Sequence, residues 1–199
     1  MEDITVGVLA LQGDFREHLQ AFRKIETAAR DIRLPGELDQ VQGLVIPGGE
    51  STTINKLIDK YDFQKKLHDF AASGRPVFGT CAGLILLSKK AVGEGRQLGF
   101  IDIEVERNAY GRQIESFEEV INLDLGNGTD KKRFNAVFIR APKISRTGSG
   151  VKVLGTAGDE VVLARENNIL VCAFHPELTD DNIIHKYFLE MIREYLKEK

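Results

Sequence analysis

The feature that most constrains this chain is a repeated junction, in which a short apolar run leads into a glycine-bearing turn and then into residues at helical spacing. Residues 4–10 are almost continuously apolar, and Phe15, Leu19 and Phe22 follow at helical intervals. Gly43-Leu44-Val45-Ile46 runs into Pro47-Gly48-Gly49, after which Ser51 can cap a helix whose Ile54, Leu57, Ile58 and Tyr61 share a face. Phe63, Leu67 and Phe70 mark another helix, ending at Ser73-Gly74. Residues 76–79 read as the next strand and residues 82–90 as its helix, while the weakly apolar residues 28–34 are expected as a further strand. Strands that are apolar throughout need cover on both faces, which is the pattern of a parallel sheet between helices.

Beyond Phe100 the pattern changes. Ile101, Ile103 and Val105 alternate with Asp102, Glu104 and Glu106, and residues 120–125 alternate in the same way, so half-buried antiparallel strands are expected. Further β-like runs at residues 136–139, 151–154, 161–164 and 169–174 precede a closing helix carrying Ile184, Phe188, Met191, Ile192 and Tyr195. With 199 residues and no visible linker or repeat, residues 1–199 are expected to form a single α/β domain with an inserted antiparallel section. A chain of this size, 42% hydrophobic, can bury a self-sufficient core, and its two cysteines exclude a disulfide framework. The net charge of −3, without a basic run, argues against a nucleic-acid or anionic-membrane partner. Met1-Glu2-Asp3 is no basic leader and no 18-residue apolar run occurs, so neither signal peptide nor membrane span is expected, and the location is expected to be cytoplasmic.

Gly79-Thr80-Cys81-Ala82-Gly83 joins a strand to a helix. Small residues on both sides suit a sharp turn that lifts one side chain out at the carboxyl edge of a sheet. A thiol there sits at a helix N-terminus, which favours thiolate, with the Ala82 amide near a developing oxyanion. The alternative is a thiol that simply fills core. His175-Pro176-Glu177 follows another strand; Pro176 favours an extended His175, so Glu177 could accept from one ring nitrogen while the other faces a nucleophile, the alternative being a surface His beside a surface Glu unless the motif meets the Cys81 turn. The zinc-deaminase pattern that also begins His-x-Glu needs a Pro-Cys-x-x-Cys that this chain lacks. His18, His68 and His185 are expected on solvated helix faces, and Cys172, in an apolar strand, in the core. Pro47-Gly48-Gly49-Glu50-Ser51 lacks the Gly-Lys-Ser/Thr of a phosphate loop and fits better as an oxyanion loop beside Cys81. Arg107 and Arg140 end expected strands and could meet a substrate carboxylate.

These residues resemble the class I, or triad, glutamine amidotransferases. Six motifs in order narrow the resemblance to the glutaminase subunits of pyridoxal 5'-phosphate synthases: Leu9-Ala10-Leu11-Gln12-Gly13, Pro47-Gly48-Gly49-Glu50-Ser51-Thr52, Gly79-Thr80-Cys81-Ala82-Gly83-Leu84, Arg107-Asn108-Ala109-Tyr110-Gly111-Arg112-Gln113 with Ser116-Phe117, Phe138-Ile139-Arg140-Ala141-Pro142, and Phe174-His175-Pro176-Glu177. Two departures stand out. Thr27-Ala28-Ala29-Arg30-Asp31 is polar and lacks the family's usual glycine, which suggests a short or edge strand, and Gln42 replaces the usual Asp before Gly43.

The resemblance implies an α/β, flavodoxin-like three-layer sandwich with a mixed, mostly parallel central sheet, and a Cys81, His175 and Glu177 triad that cleaves L-glutamine to glutamate and ammonia. By match to the motifs, glutamine is expected to contact Gly48, Gly49, Glu50, Arg107, Ile139 and Arg140, with Gly48, Gly49 and Ala82 around the oxyanion. Neither metal nor organic cofactor is expected to take part. The expected partner is a synthase subunit that receives the ammonia, in a large hetero-oligomer on a dodecameric synthase core. Residues 9–14 and 108–117 are expected to line the docking face, so substituting Gln12 or Arg112 should weaken coupled turnover and leave Cys81 alkylation intact. The rivals are another glutaminase, such as that of imidazole glycerol phosphate synthase, and a non-enzymatic scaffold of flavodoxin-like fold.

Overall fold

The computed structural model describes residues 4–93, 95–107, 116–126 and 131–199. Strands β1 (Thr5–Leu9), β2 (Ala28–Ile32), β3 (Gly43–Ile46) and β4 (Val77–Thr80) alternate with helices α1 (Phe15–Lys24), α2 (Ser51–Lys60), α3 (Phe63–Ala72) and α4 (Ala82–Leu87). After α4 come β5 (Ser88–Ala91), β6 (Ile101–Glu106), β7 (Ser116–Asp124), β8 (Lys131–Ile139), β9 (Lys143–Thr147), β10 (Lys152–Ala157), β11 (Glu160–Glu166) and β12 (Ile169–Cys172), closed by α5 (Ile183–Lys197). Among the described residues the main sheet has nine strands in the order β2-β1-β3-β4-β12-β11-β10-β7-β8. From β2 to β12 the neighbours are parallel, and from β12 to β8 they are antiparallel. The parallel portion has the strand order of a flavodoxin-like sheet.

Adjacent residues of β4 show why the sheet is covered on both faces. The Phe78 ring packs against Phe188 of α5, centroids 5.5 Å apart, and edge-on to His18 of α1. Gly79 points the opposite way, where a Cβ would lie 2.7 Å from the Gly83 backbone and from Leu87 of α4. Burial of β3 and β4 is complete on both faces, as their unbroken apolar sequences require. The polar strand β2 is an edge, paired only with β1 among the described residues. Leu9, Phe22, Leu44, Phe78, Phe134, Phe138, Phe174 and Phe188 belong to one continuous core that reaches into the antiparallel half.

Several expectations need correction. The helix expected over residues 82–90 stops at Leu87: the Ser88 hydroxyl donates to the Ile85 carbonyl at 2.8 Å, and the chain turns into β5, where Lys89 and Lys90 pair with Asp102 and Glu104 at 3.3 and 3.4 Å. A lysine pair reads as the end of a helix, yet here it forms the exposed side of a short strand. Strands β5, β6 and β9 form a separate three-stranded sheet, of which the sequence announced only β6. Glu50, not Ser51, caps α2, its carboxylate accepting from the amides of Thr52 and Thr53 at 2.9 and 2.7 Å. Tyr61 lies past the end of α2 and is 42% exposed. The largest correction concerns His18 and His185. Both are fully buried, their rings joined by a 3.0 Å hydrogen bond between α1 and α5; His68 alone of the three stands exposed, edge-on to Phe100. No described helix is long and apolar enough to cross a membrane.

Candidate active site

Parallel strands deliver the loops after β1, β3, β4 and β12 to one edge of the sheet, where ligands of open α/β folds bind. The loop after β4 is a single residue. Cys81 takes φ +48° and ψ −101°, a conformation that side-chain-bearing residues avoid, and α4 begins immediately after it. Its two flanking glycines permit this: a Cβ on Gly83 would sit 2.0 Å from the Ile46 carbonyl, inside contact distance of β3. Cys81 donates its own amide to the Cys172 carbonyl at 2.9 Å, and its Sγ lies 3.8 Å from the carbonyl of Ile139. Backbone strain is thus spent on presenting one sulfur to the cavity.

His175 follows β12 and is pinned by its amide to the Val137 carbonyl of β8 at 2.8 Å. Its Nδ1 meets Glu177 Oε1 at 2.7 Å, and the ring shares the cavity with Cys81. The expected pairing is therefore present, but not through extended alternation: residues Pro176–Leu178 form one turn of 3-10 helix, which curls Glu177 back beneath the ring. Burial works against a charged His175, yet the neighbouring Cys81 and Glu177 outweigh it and raise the imidazole to about 10. Burial lifts the Glu177 carboxyl above its ordinary value, an effect opposed by its bond to His175. Cys172 is also fully buried; desolvation pushes its thiol well up and its Sγ donates to the Phe174 carbonyl, as a core cysteine does.

Asp14, which the sequence did not single out, stands 3.5 Å from His175 Nδ1 through Oδ2. Together Asp14, His175 and Glu177 offer three ligand atoms within 4.8 Å of one another. Two of these atoms are joined by the 2.7 Å hydrogen bond itself, so an ion there would have to displace the shared proton.

Cys81 and His175 open into a cavity of about 450 Å³ that Gly49, Glu50, Arg107, Ile139 and Arg140 also line. Gly48 lies behind this wall. It donates its amide to Thr80 Oγ1 at 3.0 Å, and its carbonyl accepts from the Asp14 amide at 3.1 Å. A trans peptide points its carbonyl and the next amide in opposite directions, so the Gly49 N–H is turned away from Asp14. Glu50 donates its amide to Gln12 Oε1 at 2.8 Å, which makes Gln12 a strut of this loop, while the Glu50 carboxylate, held near 2 by its bonds to Thr53 and Thr52, is committed to capping. Arg107 brings two buried guanidinium nitrogens, Nε and Nη2, without a hydrogen-bond partner among the described residues. Arg140, like Cys81, adopts a positive φ, +43°. The motif from Asn108 to Gln113, and with it Arg112, lies outside the described residues.

Comparison with known proteins shows the family to which the chain belongs. A curated relative from Thermosipho africanus, "Pyridoxal 5'-phosphate synthase subunit PdxT", is 53% identical over 190 residues, covering 95% of this chain and 99% of that protein. A protein of the same description from Bacillus licheniformis is 47% identical over 196 residues, covering 98% of each. A crystal structure described as a glutamine amidotransferase superposes with a TM-score of 0.88 at 47% identity, covering 94% of this chain and 98% of that one. At 14% identity, the structure of PurLQS from Thermotoga maritima shares the fold, with a TM-score of 0.72. The sequence model of one family matches residues 8–194, and the chain belongs to that family, the SNO glutamine amidotransferases.

Proposed function

We propose that this chain is the glutaminase subunit of a pyridoxal 5'-phosphate synthase, acting as a single domain over residues 1–199. The observation that carries the reading is that Cys81 and His175, the latter bonded to Glu177 at 2.7 Å, line one cavity together with Arg107. His175, held by Glu177, accepts the proton of Cys81 so that the sulfur can attack as thiolate. Glutamine enters with its α-carboxylate on Arg107 and its carboxamide toward Cys81, between Gly49, Glu50, Ile139 and Arg140. The thiolate attacks the carboxamide carbon, and negative charge moves to the oxygen. Amides of Ala82 and of the Gly48-Gly49 segment receive that charge; because the Gly48 amide is engaged by Thr80, Gly49 is the donor this loop offers. His175 gives its Nε2 proton to the departing nitrogen, the C–N bond breaks, and ammonia leaves a glutamyl thioester. Water then loses a proton to His175 and attacks the thioester, releasing glutamate and restoring the thiolate.

Ammonia that escapes into neutral water is mostly protonated and no longer nucleophilic, so a dedicated acceptor is chemically required. The acceptor is a synthase subunit in a hetero-oligomer with a dodecameric synthase core, in the cytoplasm. Gln12 supports such coupling as a strut of the loop that offers Gly49, so a partner touching residues 9–14 can reach the oxyanion site. The test is glutamate release from glutamine by the chain alone and mixed with the synthase subunit. Activity that rises on mixing and is lost in Cys81→Ala is expected; no glutamate from the folded mixture would sink the assignment.

A further inference from the structure

The mechanism leaves unused a buried polar chain behind the triad. His18, projecting from α1, is fully buried, its Nδ1 3.0 Å from His185 Nε2 on α5. Its Nε2 faces two acceptors, Thr80 Oγ1 at 3.2 Å and Glu177 Oε2 at 3.4 Å. Glu177 Oε1 is engaged by His175, while Oε2 is buried and makes no hydrogen bond among the described residues, His18 Nε2 at 3.4 Å being a polar neighbour it faces. We propose that His18 is a positioning residue of the glutaminase, its Nε2–H holding the second oxygen of Glu177 so that the first stays aimed at His175. The proposal rests on the triad reading above.

The tautomer decides the matter, and two are available. With the proton on Nε2, His18 donates between Glu177 Oε2 and Thr80 Oγ1, and its bare Nδ1 accepts from His185 Nε2–H. With the proton on Nδ1, His185 accepts instead, Thr80 donates to His18, and the lone pair of Nε2 faces the Glu177 carboxylate. The second arrangement suits Thr80 but sets a lone pair against a buried anion. Hydrogen bonds to an ionised group are roughly twice as strong as those between neutral ones, so the carboxylate selects the Nε2–H form. Protonating both nitrogens is no third choice, because burial and the proximity of His185 and His175 hold His18 well below the ordinary histidine value. Thr80 also holds the Gly48 amide, so the same contact joins the acid of the triad to the glycine loop.

Nitrogen-15 imidazole spectra of the wild-type chain test this without any substitution: His18 should carry its proton on Nε2 across about pH 5 to 8. A proton on Nδ1 would overturn the proposal. In the complex with its synthase subunit, His18→Leu should lower kcat of glutamine hydrolysis roughly 10- to 100-fold, the loss expected for one hydrogen bond to a charged group, with little change in KM. The acid limb of its pH profile should move up by about one unit, because Glu177 loses a bond that favours its charge. His18→Gln, whose amide Nε2–H reaches the same place, should restore most of the rate. In a Glu177→Gln background His18→Leu should cost nothing more. Additive losses, or an unshifted pH profile, would reduce His18 to packing. Full activity in Glu177→Gln would remove the triad reading, and this proposal with it, whereas a slow Glu177→Gln beside a normal His18→Leu would remove this proposal alone.

Discussion

The amide of Gly48 donates to the hydroxyl of Thr80 across 3.0 Å, so the glycine loop after β3 is fastened to the residue immediately before Cys81. Backbone amides near an active site are useful only if they hold still, and this bond, with the Asp14 amide on the Gly48 carbonyl, restrains the peptides on either side of the Gly48 Cα. Thr80→Val keeps the shape and deletes the acceptor, leaving a buried N–H unpaired. We expect a stability loss of about 1–3 kcal/mol and a larger proportional fall in glutaminase turnover, with Thr80→Ser close to wild type. Urea midpoints and steady-state rates on the three proteins check this; equal stability of the valine variant would sink it.

Cys81 should reverse the usual ranking of glycine and alanine. Glycine normally costs about 0.5–1 kcal/mol against alanine through its greater unfolded freedom. At φ +48° and ψ −101° alanine keeps the strain that glycine escapes, and such strain is worth about 1–3 kcal/mol. Cys81→Gly should therefore melt at or above the temperature of Cys81→Ala, both being inactive as glutaminases. A glycine variant melting clearly lower would show that the turn is not strained.

The sequence disclosed the parallel half of the fold well, because β3 and β4 are apolar without interruption and lead directly into glycine turns. It disclosed the turn at Cys81 for the same reason, since small residues on both sides suit a sharp strand-to-helix junction. The β5–β6–β9 sheet was hidden, because Ser88-Lys89-Lys90-Ala91 is too short and too polar to show a period, and its pairing depends on Asp102 and Glu104 in a distant segment. The burial of His18 had a readable signal that chemistry obscured. His18 stands four residues before Phe22, and His185 three before Phe188, each on the apolar face of its helix. Spacing placed both inward, whereas the polarity of histidine suggested solvent; mutual hydrogen bonding let spacing prevail. Asp14 and Thr80 carry no pattern of their own, and only tertiary contact reveals what they hold.

Arg107 gives a prediction about substrate choice. It lines the same cavity as Cys81 and His175, where a guanidinium matches a carboxylate in two-point contact. Arg107→Gln should raise KM for glutamine about 10- to 100-fold, as for loss of a charge-assisted contact. Alkylation of Cys81 by iodoacetamide should continue at the wild-type rate. Against γ-aminobutyramide, which has the amide but no α-carboxylate, wild type and variant should be equally poor. A variant that loses activity equally on both amides would place Arg107 outside carboxylate recognition.

Stability should fall on both sides of neutrality, for opposite reasons that trace to different histidines. His185 is held at about 3 by burial, and His18 is also well below its ordinary 6.5. Below about pH 6.5 the unfolded chain takes up protons that the folded chain refuses, so unfolding becomes easier as pH drops. Each such histidine contributes a slope of about 1.4 kcal/mol per pH unit. His175 has the reverse sign. Raised to about 10, it binds its proton more tightly when folded, and the stability it contributes is complete below pH 6.5 and fades as pH rises through about 10. Denaturant midpoints between about pH 6.5 and 5, above the range in which most carboxylates titrate, isolate the buried pair. His185→Phe, placing a ring of similar shape beside Phe22 and Phe78, should cut the acid slope by roughly half and leave the alkaline limb unchanged. An acid slope the same in wild type and variant would mean that His185 already accepts a proton in the folded core, contrary to its burial.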